Sequence, residues 1–103
     1  MAKSRQREAS VEGAVVQYAL KRKVLTCKFT SPGNKGVPDR MFIFEGRTMF
    51  LEFKRLGERP TKLQGHWLSK LGGHGAMASW VDNVPDGKRM VDSLVAGRDE
   101  TLL

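Results

Sequence analysis

GVPDRMFIFEGRTMFLEFKRLGERPTKLQ, from Gly36 to Gln64, holds two apolar runs, a tight turn and a set of charged residues in one short stretch. Met41 to Phe44 is apolar throughout and reads as a short strand. Glu45-Gly46-Arg47 is a tight turn, and Thr48 to Lys54 is the returning strand of a hairpin. Alternation along that second strand sends Met49, Leu51 and Phe53 to one face and Phe50, Glu52 and Lys54 to the other. Glu52 and Lys54 then project side by side, roughly 7 Å apart along the strand. In an antiparallel hairpin the start of one strand lies beside the end of the next. Asp39, just before the first strand, is therefore expected next to Glu52 and Lys54.

The flanks complete a domain. Residues 1–9 carry no apolar periodicity and read as a basic flexible arm. Ser10 is the expected N-cap of a first helix reaching Arg22, with Val11, Ala14, Val15, Tyr18 and Ala19 at helical spacing. Gly13 in that helix costs about 1 kcal/mol relative to alanine, which raises the question of a close backbone approach near Glu12. Val24 to Thr30 alternates, with Leu25, Cys27 and Phe29 on the face expected to be buried; Cys27 reads as a core thiol. Ser31 to Arg40 holds two prolines and two glycines and reads as a shaped loop. Beyond the hairpin, Thr61 opens a second helix with Leu63, Trp67, Leu68 and Leu71 inward, ended by Gly72 and Gly73. Ala76 to Val81 is a fourth strand. Pro85 starts a last helix with Met90, Val91, Leu94 and Val95 inward, and residues 98–103 form a tail.

The order is helix, three strands, helix, strand, helix. Strand, crossover helix and strand from Thr48 to Val81 should make a parallel, right-handed unit. The fold class is thus α/β, one domain over residues 10–97, with a mixed four-stranded sheet flanked by helices. At 103 residues there is room for one core and no separate recognition domain. Lys plus Arg is 18 against 11 acids, a net charge of +7 and pI near 10.0, which suits a polyanionic partner. The single cysteine excludes an internal disulfide and a Cys-rich metal cluster. Without an apolar leader or a stretch of membrane-spanning length, the expected location is cytoplasmic, in a bacterial or phage-infected cell.

Asp39, Glu52 and Lys54 form a set that phosphodiester hydrolysis needs. Two carboxylates can hold a hard divalent cation through oxygen. The cation polarises the phosphoryl oxygen, and the lysine orients water or neutralises developing charge. Oxygen-only ligands favour Mg²⁺ or Mn²⁺ over Zn²⁺. Pro38-Asp39 followed by Glu52-x-Lys54 resembles the PD-(D/E)xK nuclease signature. The longer run, Gly36-Val37-Pro38-Asp39-Arg40, then Glu52-Phe53-Lys54, then Gln64 after Pro60-Thr61, resembles the VRR-NUC branch of that superfamily, in its short standalone phage type. The resemblance implies a restriction-endonuclease-like core and Mg²⁺- or Mn²⁺-dependent, structure-selective cleavage of branched DNA such as Holliday junctions by a homodimer. It also implies metal ligation by Asp39, Glu52, the backbone carbonyl of Phe53 and Glu12, with Lys54 and Gln64 serving the chemistry.

Other readings compete at several positions. Glu12 in a first helical turn is favoured by the helix dipole alone. Thr61-x-x-Gln64 is also a capping box. His66 and His74 have no metal-spaced partner and read as surface residues, and Trp67 reads as core. Trp80, Met77, Met90 and Leu94 are the candidates for a homodimer surface. Two other functions share these features: a sequence-specific restriction-type nuclease, and a non-catalytic basic nucleic-acid-binding protein.

Overall fold

The computed structural model describes residues 7–97. Its elements are α1 (Glu8–Lys21), β1 (Leu25–Lys28), β2 (Arg40–Phe44), β3 (Arg47–Phe53), α2 (Lys62–Gly73), β4 (Met77–Val81) and α3 (Val84–Ala96). The strands lie in the order β1-β2-β3-β4; β1, β2 and β3 are antiparallel in sequence and β4 runs parallel to β3. The expected αβββαβα order and mixed four-stranded sheet are therefore present. Residues 1–6 of the expected arm and the tail at 98–103 lie outside the described residues.

One sheet face carries Phe42, Met49, Leu51 and Phe53, all fully buried. Val11, Val15 and Ala19 of α1 and Met90, Val91 and Leu94 of α3 close over it. The two helices approach closely at Gly87, where an added Cβ would overlap the Cγ2 of Val15. Asn83 caps α3 by accepting from the Asp86 N–H at 2.8 Å, and Gly97 ends it at φ +79°. Arg47 binds the carbonyls of that end, donating to Leu94 and Val95 at 2.9–3.0 Å.

Several local expectations are corrected. Ser10 lies within α1, whose N-cap is Arg7 with no side-chain cap bond. Arg7 stays extended and Glu8 suits the first turn, where an acid faces the positive helix end. Gly13 has nothing within 4 Å of a built Cβ, so no close approach explains it. Cys27 is exposed and Leu25 is 63% exposed. Alternation groups residues on a face but does not say which face is covered. Leu25 and Cys27 share theirs with Ile43 and Met41, and α2 lies over β3 and β4 only. For the same reason no residue of α2 is fully buried, and Leu63 is 48% exposed. Trp67 is half-buried and lies outside the core. The helix runs through Gly72 and Gly73, and the left-handed residue is Gly75, at φ +99°. Met77, Met90 and Leu94 are buried within the single chain and are not free to form a dimer surface.

Candidate active site

The register places the site. Arg40 pairs with Leu51, so Asp39 falls beside the Glu52–Phe53 end of β3. Its carboxylate accepts from the Phe53 N–H at 2.8 Å, while its own carbonyl accepts from Phe29 N–H at 2.9 Å. On the other side, Lys54 N–H donates to the Val81 carbonyl at 2.9 Å. The Phe53–Lys54 backbone is thus held from both neighbours, by a side chain of the hairpin and by the parallel strand. Asp39, Glu52 and Lys54 come together as the hairpin argument expects.

Glu52 is 3% exposed although it carries a carboxylate. Its Oε2 accepts from Gln64 Nε2 at 3.0 Å and lies 3.6 Å from Lys54 Nζ. Its Oε1 is buried with no hydrogen-bond partner. The pKa is pushed up to about 7, first by burial and then by the negative charge of Asp39, with Lys54 pulling the other way. Two carboxylates side by side, one with an unpartnered buried oxygen, suit a hard cation bound through oxygen.

Gln64 completes the expected capping box and reaches Glu52 with the same side chain. Its Oε1 accepts from Thr61 N–H at 2.8 Å, and Thr61 Oγ1 accepts from Gln64 N–H at 3.2 Å, which completes the capping box. Its amide nitrogen meanwhile reaches Glu52. One side chain therefore starts α2 and anchors it to the buried carboxylate.

Glu12 is engaged elsewhere. Its Oε2 accepts from Arg40 Nε at 2.8 Å and lies 3.1 Å from Lys28 Nζ. Burial works to raise its pKa, but the bonds from Arg40 and Lys28 outweigh it and hold the carboxyl below its ordinary range. Among the described residues, no group of three or more His, Cys, Asp and Glu is gathered as a metal cluster. Arg40 follows Asp39 directly, so the Glu12–Arg40 pair ties α1 to the chain at the site. His66 and His74 are exposed, as expected.

Asp82 belongs to no motif of the sequence. It accepts from Gly57 N–H at 3.1 Å and from Asn83 Nδ2 at 2.7 Å, and the Gly57 bond is the main reason its pKa is lowered. This pins the loop after Lys54 to the end of β4. The signal was present: Asp82 follows the strand that pairs with β3, one position past the Phe53–Val81 pair. The charge of Glu8, at the start of α1, adds slightly to the raised pKa of Glu52.

With the geometry in place, known proteins resemble the chain at two levels. The fold is that of a VRR_NUC domain: a solved structure so described superposes with a TM-score of 0.75 at 21% identity, covering 82% of this chain and 94% of that one. A closer sequence relative is p44 of Acyrthosiphon pisum secondary endosymbiont phage 1, a protein provisionally named a nuclease. It is 42% identical over 59 residues, which are 56% of this chain and 63% of p44. No protein-family model matches the chain.

Proposed function

We propose that this chain is a metal-dependent endonuclease that hydrolyses DNA phosphodiester bonds, with branched DNA as its preferred substrate. The observation that carries the reading is Glu52: a carboxylate buried beside Asp39, with one oxygen unpartnered and Lys54 3.6 Å away. A buried charge left this way is costly unless something binds it. The VRR_NUC fold and the phage relative support the same reading.

Asp39 and Glu52 would hold Mg²⁺ or Mn²⁺, joined by the Phe53 carbonyl. Bound there, the cation supplies Lewis-acid stabilisation of the phosphoryl oxygens. Lys54, held by Glu52 and by its backbone bond to Val81, orients the attacking water and balances charge that builds on the phosphate. Gln64 fixes the Glu52 carboxylate. Glu12 acts through Arg40, holding the start of β2 so that Asp39 meets Phe53. A homodimer supplies the second site that paired cuts on a junction require, because each chain carries one such constellation.

The test is cleavage of duplex, flap, fork, nicked and four-way DNA with Mg²⁺, with Mn²⁺ and with EDTA. Four-way DNA cut only with a divalent metal is expected, with no cleavage by Asp39→Asn, Glu52→Gln or Lys54→Ala. Lys54→Ala should still bind DNA. Full activity in excess EDTA, or parental cleavage by Lys54→Ala, overturns the proposal.

A further inference from the structure

A second feature lies beside the site and takes no part in the chemistry above. The loop before Asp39 and the outer side of α2 enclose a groove of about 500 Å³, lined by Gly33, Asn34, Lys35, Leu63, His66 and Trp67. None of these six carries a carboxylate. The floor is aromatic: Trp67 meets His66 edge-on at 6.2 Å between ring centroids, and Lys70 Nζ stands 5.4 Å from the indole centroid. The loop wall is held in place. Asn34 donates to Ser31 through both its backbone N–H and its side chain, each at 2.9 Å. Gly36, at φ +90°, lies so close to α2 that a Cβ there would come within 2.7 Å of Leu63 Cγ.

Both walls lead to the site. Gly36 stands three residues before Asp39, and Leu63 precedes the Gln64 that holds Glu52. A half-exposed tryptophan outside the core, in a groove lined by Lys35 and with Lys70 beside its ring, has the chemistry of a stacking platform for nucleic acid. Base–aromatic stacking and phosphate–lysine contacts are how proteins hold unpaired strands. A base within a duplex is already stacked on its neighbours and cannot offer its face to the indole.

We propose that this groove holds an unpaired nucleotide of the DNA substrate, its base against Trp67 and the adjoining phosphates against Lys35 and Lys70. The inference rests on the nuclease reading only for its choice of DNA as the ligand. It also supplies a physical basis for preferring flapped and forked DNA, whose unpaired nucleotides a perfect duplex lacks.

The test measures binding alone, by fluorescence anisotropy in EDTA, with the full chain, a labelled oligothymidine and a blunt duplex. Trp67→Ala should bind the single strand about tenfold more weakly, the loss of one stacked base, and leave duplex affinity unchanged. Trp67→Leu, which keeps volume without a π-face, should lose as much. The pair Lys35→Ala with Lys70→Ala should lower the salt slope for the single strand by about 1.4, two contacts' worth. This pair decides the matter if neither Trp67 variant folds by circular dichroism. Equal losses on both DNAs, or no loss on the single strand, overturn the groove. A protein that shows this discrimination but cuts nothing with metal loses the nuclease reading and keeps the groove. A protein that cuts while its Trp67 and lysine variants bind normally loses the groove alone.

Discussion

Glu52 works against folding for as long as its carboxylate stays ionised and unbound. Its pKa of about 7 in the folded chain exceeds the ordinary 4.5, so the folded state binds its proton more tightly than the unfolded state does. Stability in chelator should therefore fall as pH rises from 4.5 to 7, by on the order of 3 kcal/mol, and then level off. The acids with lowered pKa values, Glu12 and Asp82, act in a separate window, losing their contribution only as pH drops through their folded pKa values. Glu52→Gln removes the titration. Its melting temperature in EDTA should exceed the parent's by a margin that widens from about pH 5 to about pH 8. Calorimetry across that range checks this, and a constant margin would show that burial does not perturb the carboxylate.

Gln64 allows its two bonds to be separated. Gln64→Ala loses the cap and the Glu52 contact together, with about 1 kcal/mol of stability from the cap. Gln64→Glu retains an acceptor for Thr61 N–H but turns a carboxylate toward Glu52. Both should lose cleavage by far more than the loss of folded protein explains, as read from single-turnover rates on protein shown to be folded. Unchanged turnover in Gln64→Ala would leave the residue a cap and nothing more.

The helices differ in how much space their glycines need, and this gives a paired expectation. Gly13 of α1 is exposed with nothing near a built Cβ. Gly13→Ala should stabilise by about 1 kcal/mol, the propensity difference alone. Gly87 of α3 is buried against Val15, which is fully buried and β-branched and so cannot swing aside. Overpacking costs about 1–3 kcal/mol, which outweighs the helix-propensity gain, so Gly87→Ala should lower the melting temperature. Thermal unfolding of the two variants beside the parent tests this, and equal shifts of the same sign would refute the α1–α3 contact. α1 and α3 cover one sheet face, while α2 packs on β3 and β4 of the other face and is tied there by its Glu52 contact and the close approach of Gly36.

Among the described residues, Leu25, Cys27, Met41 and Ile43 share the half of the sheet that α2 leaves open, with Leu25 and Cys27 exposed. No helix among the described residues is long and apolar enough to cross a membrane. If two copies provide the two cuts of a junction, light scattering at micromolar protein should give twice the chain mass, and mapped cuts should fall in symmetric pairs. Leu25→Glu, placing a charge on that open half, should shift the protein to monomer. A parent that stays monomeric and still cuts in matched pairs would disprove the dimer. Net charge +7 adds a further expectation: log affinity should fall steeply with log salt, by about 0.9 for each duplex phosphate contacted. Affinity that is flat between low and physiological salt would remove the phosphate contacts.

The hairpin from Arg40 to Phe53 and the meeting of Asp39 with Glu52 were set by the sequence alone. Strand alternation and a short turn permit only one arrangement that buries Met49, Leu51 and Phe53 and brings the charges to one end. The capping box at Thr61 was equally local. Leu25 and Cys27 were not, because period-two alternation is symmetric between faces and only the position of α2 decides which face stays open. The same fact put Trp67 outside the core and left it at the groove. Glu12 is the clearest case. Its place within a helix is a local property, though the helix starts at Glu8 and leaves Glu12 past the first turn, and its partners Arg40 and Lys28 come from two strands that reach it only when α1 folds across the sheet. Whether a carboxylate meets a cation, an arginine or water depends on what the chain brings within about 3–4 Å of it, and that distance belongs to tertiary packing.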